Sequence, residues 1–158
     1  MEFHLAQANI AWMHGALHEP VMSGLASRVD EINRLAEESP GFVWRLPGSE
    51  VRPEALHPFE TDFPGFHRDR LFYNMSVWLS LEHLRSYTFF SAHAELLNER
   101  HQWVDSIVGA SVALWWIPAD HRPDIAESAD RLRSVRRTGP TPYAFTMRKA
   151  FPPPRSRE

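Results

Sequence analysis

Nine histidines and six tryptophans, with no cysteine, supply the chemistry-bearing side chains of this 158-residue chain. His93 stands in the stretch SAHAE, where Ser91 suits a helix cap. Near a helix N-terminus the macrodipole disfavours an imidazolium, so a neutral imidazole there is fit for general-base work. The plainer alternative is a histidine that bonds neighbouring backbone or Ser91. A second group is polar and sits on strand-like segments: Gln7 and Asn9 in FHLAQANIAW, and Asn74 and Ser76 in LFYNMSVWL, where Phe72 and Trp78 fall on the same face. Directed amide and hydroxyl groups beside an aromatic wall are what a small-molecule pocket presents; an interface whose polar groups bond each other would read the same way. His121 and Arg122 follow the apolar run VALWWIP directly, and Arg122 is suited to grip an anionic or carbonyl oxygen. Alternatively, Asp120 and Arg122 only fix the turn that Pro123 begins.

Other chemistries lack their residues. Without thiols there is no disulfide, thiolate metal site or cysteine nucleophile. His14 and His18 are four apart, but Gly15 lies between them, Pro20 follows, and no third ligand is indicated, so no metal site is expected. No Gly-rich phosphate loop, GxSxG elbow or catalytic carboxylate pair stands out. A net charge of −3 and a pI near 6.3 offer no field for nucleic acid. No apolar run approaches the roughly 18 to 20 residues that span a bilayer. The N-terminus lacks a basic region followed by a long apolar stretch, so a cytoplasmic protein is the default expectation.

The elements that must position these residues follow from periodicity. Residues 3–12 alternate as a strand; 21–39 place Val21, Leu25, Val29, Ile32 and Leu35 at helical spacing behind Pro20; Pro40-Gly41 ends that helix, and 42–46 form a short strand. Residues 47–69 carry four prolines and no period, and are expected as a long loop, either packed on the sheet edge or serving as a lid. Residues 71–79 alternate as a third strand. Ser80 caps a short helix, Ser91 a second one with a stripe of Leu97, Val104 and Ile107, and Gly109 closes it. Then come a strand over 111–117, a helix opened by Pro123-Asp124 and Glu127, and a last strand over 144–149. The domain is expected to span 1–151, with 152–158 a loose tail.

The β-α-β-β-α-β order predicts an α+β fold: a ferredoxin-like antiparallel sheet with helices on one face, plus an appended helix and strand. The other face should then be polar in a monomer, yet the strand around Trp115-Trp116 is apolar on both sides. Soluble monomers seldom carry so large an exposed patch, so a homodimer packed sheet to sheet is expected to cover it. Trp44, Trp103, Trp115 and Trp116 are read first as packing residues. Trp115 is also a candidate for the substrate wall, since one of two adjacent indoles must turn away from its neighbour's core.

The segments LAQANIAWM, ESPGFVWRL, NMSVWLSLEHL, SAHAELLNERHQW, LWWIPADHRP and GPTPYAFTMRKAFP, in this order, resemble an uncharacterised bacterial domain family grouped with the dimeric α+β barrels of the antibiotic-biosynthesis-monooxygenase type. The resemblance covers nearly the whole chain apart from residues 47–69. It implies a homodimeric dimeric α+β barrel with one cavity per subunit. Its superfamily includes cofactor-free oxygenases, haem-degrading enzymes, isomerase-type proteins and stress proteins. Asn9 and Trp78 match, in type and strand, pocket residues of its oxygenases and haem-degrading members, and His93 falls on the helix that carries the latter's iron ligand. The function expected is a cofactor-free enzyme that abstracts a proton from a small hydrophobic or aromatic metabolite, leading to oxygenation, isomerisation or cyclisation. His93 is its base, Gln7, Asn9, Asn74 and Ser76 hold substrate oxygens, and Phe72, Trp78, Trp115 and Arg122 complete the site. A non-catalytic ligand-binding or stress protein is the alternative, and a haem-binding protein the third.

Overall fold

A computed structural model describes residues 1–63, 66–91 and 93–155; positions 64 and 65 of the expected loop, Ala92, and the last three residues of the expected tail lie outside it. Strand β1 (Phe3–Met13) is the axis of a five-stranded antiparallel sheet that also holds β2 (Phe42–Arg45), β3 (Leu71–Trp78), β4 (Val104–Asp105) and β5 (Val112–Pro118). One edge of β1 pairs with β3 along its length. The other pairs with β5 over residues 3–9 and with the two-residue β4 at Trp12 and Met13, while β2 lies outside β3. The register sets Gln7 opposite Ser76 and Asn9 opposite Asn74, so the polar residues of two strands form one cross-strand row.

Helix α1 (Ser23–Glu38) follows a single 3-10 turn at Pro20–Met22. Helix α2 (Leu81–Phe90) starts at Ser80, whose hydroxyl accepts the His83 amide, and α3 (His93–Glu99) is only two turns long. Helix α4 (Ile125–Thr138) has a better-built start: the Asp124 carboxylate accepts the Glu127 amide at 2.8 Å, which satisfies a donor that the first turn leaves over. It stops at Gly139, whose φ of +75° is ground that glycine occupies at little cost.

The expected open face is absent, because helices cover both sides of the sheet. Ala6, Ala8, Ile10, Tyr73, Met75, Val77, Ala113, Trp115 and Ile117 point to one face and are sealed by Ala129, Leu132 and Val135 of α4, together with Leu56, Phe59 and Phe63. The last three come from residues 47–69, which are not a loose loop. They form 3-10 segments at Gly48–Glu50, Pro53–Asp62 and Arg68–Arg70, and Arg133 of α4 holds Asp62 in two parallel bonds of 2.9 and 2.8 Å. Prolines hide helical periodicity of this tighter kind, and the buried Leu56, Phe59 and Phe63 fit the alternative in which the segment packs on the sheet. The face from which a homodimer was argued is therefore covered from within the chain.

The opposite face carries Leu5, Trp78 and Leu114 under Ala36 of α1, Leu84 of α2 and Phe145. At its other end Met13, Met22, Leu25 and Trp103 form a smaller cluster, with Phe72, Val29 and Leu96 against it. The adjacent indoles separate as alternation demands: Trp115 is wholly buried under α4, and Trp116 turns to the α1 side, half-buried, its N–H donating to the Phe151 carbonyl at 2.8 Å. The expected end of the domain, Phe151, is thus tied to β5.

Two further expectations change. The helical stripe of Leu97, Val104 and Ile107 does not form: α3 ends at Glu99, Val104 joins β4, and Ile107 packs against the α4-side core. Gly109 closes no helix; it holds a φ of +86° beside Arg136, whose guanidinium donates to the Val108 and Ala110 carbonyls. The last strand, expected over 144–149, contracts to isolated bridges: Phe145 pairs with Leu114 through two 2.8 Å backbone bonds, and Ala144 pairs with Thr141.

Candidate functional site

Between the two apolar clusters of the α1 face lies the polar row. Gln7, Asn9, Asn74 and Ser76 are each half-buried, as are Phe72 beside them and Val29 and Ile32 in the middle of α1, whereas Leu5, Trp78 and Met13 at the two ends of the face are buried. Solvent therefore reaches the centre of a face whose ends are closed. The Gln7 amide donates to Asn74 Oδ1 at 2.9 Å and to Ser76 Oγ at 2.7 Å, and the Trp78 indole donates to the same Ser76 oxygen at 2.8 Å. Both lone pairs of that hydroxyl are thereby occupied, and its own proton is left to donate. Asn9 Oδ1 is buried with no hydrogen-bond partner among the described residues. Such an acceptor costs about 1–3 kcal/mol if it stays unmet. The row so presents one donor and one hungry acceptor.

An aromatic column connects this row to His93. Tyr87 stacks on Trp78 with ring centroids 4.9 Å apart, and His93 lies at 4.9 Å on Tyr87. Tyr87 was missed in the sequence, where it reads as one apolar position of a short helix. The Tyr87 hydroxyl donates to the Ile32 carbonyl of α1, and burial pushes its ionisation well above the ordinary tyrosine range. The His93 ring contacts the Thr88 carbonyl at 3.1 Å through Nδ1; a carbonyl only accepts, so Nδ1 carries the proton and Nε2 is the basic nitrogen. Burial lowers the pKa of His93, and the bond to Thr88 offsets part of this. The neutral imidazole expected at this position is thus produced chiefly by desolvation. The Ser91 hydroxyl accepts the His93 amide at 3.2 Å, as the plainer alternative had it.

The other two expected site residues stand elsewhere. Trp115 points to the α4 side, where its indole donates to Glu127 at 2.9 Å, so it cannot line a pocket with Gln7 and Trp78. Arg122 lies beyond the end of β5, its guanidinium 4.9 Å from the centre of the Trp44 ring. Gln7, Asn9, Phe72, Asn74, Ser76 and Trp78 therefore share one face, with His93 joined to them through Tyr87. Trp115 and Arg122 belong to the opposite side and the sheet end. Alternation within each strand foretold the first grouping; the second needed knowledge of which face α4 would take.

His14 is held by the Gln102 carbonyl and Asp105, both at 3.1 Å, and no cluster of three or more His, Asp or Glu among the described residues could hold a metal ion. For haem, the donor would be His93 Nε2, but that ring is packed on Tyr87 in the column and lines neither of the clefts found at the α1–α2 junction and at the end of β5. The fit is poor, and no step is derived through such a group.

Fold and site together define an α+β domain with a half-buried polar row on one side of a curled antiparallel sheet and a sealed apolar layer on the other. The chain matches a domain of unknown function, DUF3291, over residues 4–158, and it belongs to that family. No curated protein and no solved structure matches it. No helix among the described residues is long and apolar enough to cross a membrane.

Proposed function

We propose that this domain is a small-molecule enzyme that binds a hydrophobic or aromatic metabolite bearing a hydroxyl or keto oxygen in the crevice between α1, α3 and the sheet, and removes a proton from it without a cofactor. The unmet Asn9 acceptor carries the reading, because a buried oxygen beside a free Ser76 hydroxyl proton asks for a ligand that both donates and accepts. Phe72 supplies the apolar wall, the buried Trp78 backs the row through its bond to Ser76, and His93 Nε2 takes the proton. Oxygenation, isomerisation or cyclisation could follow from the resulting anion. The strand order β2-β3-β1-β5, antiparallel throughout, supports a ferredoxin-like split βαβ core related to the monooxygenase-type α+β barrels. In this variant α4 and residues 47–69 occupy the face on which a second subunit would otherwise pack. A shared fold does not by itself select the reaction.

The test uses 2-naphthol as a binding probe and 1,4-dihydroxynaphthalene as a turnover probe. Binding should shift the side-chain amide resonances of Asn9 and Asn74 and weaken about tenfold in Asn9→Ala, the loss of one hydrogen bond of about 1.4 kcal/mol. Oxygen uptake above the uncatalysed rate should vanish in His93→Gln with binding retained. Unshifted Asn9 and Asn74 resonances would sink the crevice as the site. Binding with no turnover of any tested metabolite would favour a non-catalytic ligand carrier, a second reading supported by the Gln7 amide, which is already satisfied within the row.

A further inference from the structure

A second group of residues meets where β5 runs out, on the α4 side and separate from the crevice. His4, Val43, Trp44, Val77, Asp120 and Arg122 line, with His121 and Ala119, a cleft of about 180 Å³. His121 is not a loose surface side chain. Its Nε2 lies 2.6 Å from Glu127 Oε1, and the other oxygen of that carboxylate accepts the buried Trp115 indole at 2.9 Å. An indole only donates, so Trp115 fixes Glu127, and Glu127 in turn fixes the orientation of His121 and places a proton on Nε2. Nδ1 is then the nitrogen left for another partner. The Arg122 guanidinium lies over Trp44, 4.9 Å from the ring centre, and has no hydrogen bond or ion pair to another described residue. An arginine supported on an aromatic face keeps its planar donor edge free, which suits a carboxylate. In the same lining the imidazole of His4, its side chain 12% exposed, has a buried Nδ1 with no hydrogen-bond partner among the described residues.

We propose that this cleft is a binding site for a small monocarboxylate, gripped by Arg122 and by His121 Nδ1, with Glu127 and Trp115 as positioning residues. The cleft is smaller than the roughly 300–1,000 Å³ of sites for drug-sized ligands, so the occupant is a compact acid. Asp120 in the lining, and Glu127 behind His121, make a second negative charge on the ligand costly, which favours a carboxylate over a phosphate dianion. With Nε2–H given to Glu127, Nδ1 donates to an anion when the ring carries both protons. The charged and titratable groups around that ring are Glu127 on α4, Asp120 and Arg122 on its own turn, and His4 on β1 with Glu2 beside it.

Calorimetric titration of the full chain with pyruvate, run in Tris and in PIPES, tests this. Saturable binding is expected, with a tenfold or greater loss of affinity in Arg122→Gln and a smaller loss in His121→Gln. The Trp44 indole resonance should move on addition of pyruvate to the unaltered protein, which keeps the test sound should a variant misfold. Inorganic phosphate should bind at least tenfold more weakly. No binding, an unchanged affinity in Arg122→Gln, or phosphate binding as tightly as pyruvate would each overturn the proposal.

Discussion

The two faces of one sheet are built from alternate residues of the same strands, and they differ in kind. The α4 face is apolar throughout, and its few polar groups are closed into pairs: the Tyr73 hydroxyl donates to Ser128, which donates in turn to the Ile125 carbonyl, and the Trp115 indole meets Glu127. The α1 face is apolar only at its ends, and its centre keeps Gln7, Asn9, Asn74 and Ser76 within reach of solvent. Away from the end of β5, where Arg122 and His4 keep unmet groups, the α4 face has little left to recognise with. The unfinished face, with an unmet acceptor at Asn9, is where a ligand gains most.

The contrast can be broken from the sealed side first. Trp115→Ala removes a wholly buried indole and one of the two partners of Glu127, and should cost about 3–5 kcal/mol in denaturant unfolding, whereas Trp116→Ala, half-buried on the other face, should cost clearly less. Equal losses would deny that the faces differ. Phe59→Ala should also cost about 3–5 kcal/mol, because residues 47–69 are part of the core; a change within about 0.5 kcal/mol would restore the lid. A smaller effect, about 1–3 kcal/mol, is expected for Ser128→Ala, which leaves the buried Tyr73 hydroxyl without its oxygen partner.

The mildest prediction concerns the unfinished face and pH. Burial lowers the pKa of His93, so below the ordinary histidine value of 6.5 the unfolded chain binds a proton that the folded imidazole resists. Stability is thus lost as pH falls through that value toward the depressed one. Between about pH 7.5 and 5.5 the melting temperature should drop further in the unaltered protein than in His93→Gln, the other eight histidines being common to both. An identical drop would mean that His93 titrates as an exposed residue does.

Much of this arrangement was legible in the chain. Alternation in residues 3–12 and 71–79 put Gln7, Asn9, Asn74, Ser76 and Trp78 on one face, and Ser80, Asp124 and Pro20 marked true helix starts. Tyr87 was not legible, because the contact that makes it part of the site, its stacking between Trp78 and His93, joins three separate elements. The Glu127–His121 pair was equally hidden: Glu127 read as a helix-start acid, and only the seating of α4 brings it to Trp115 and His121.

Local pattern by itself determined which residues share a strand face, since a period of two is enforced by backbone geometry and does not depend on what packs above. It also established that the strand of Trp115 and Trp116 is apolar on both sides and must be covered twice. Only the tertiary structure decided what the cover is. Residues 47–69, aperiodic and proline-rich, fold into 3-10 turns because Leu56, Phe59 and Phe63 find an apolar layer there that no neighbouring residue announces. Burial of that kind depends on contacts distant in sequence, and it set α4 and this segment, rather than a second copy, over the face that the strands had left open.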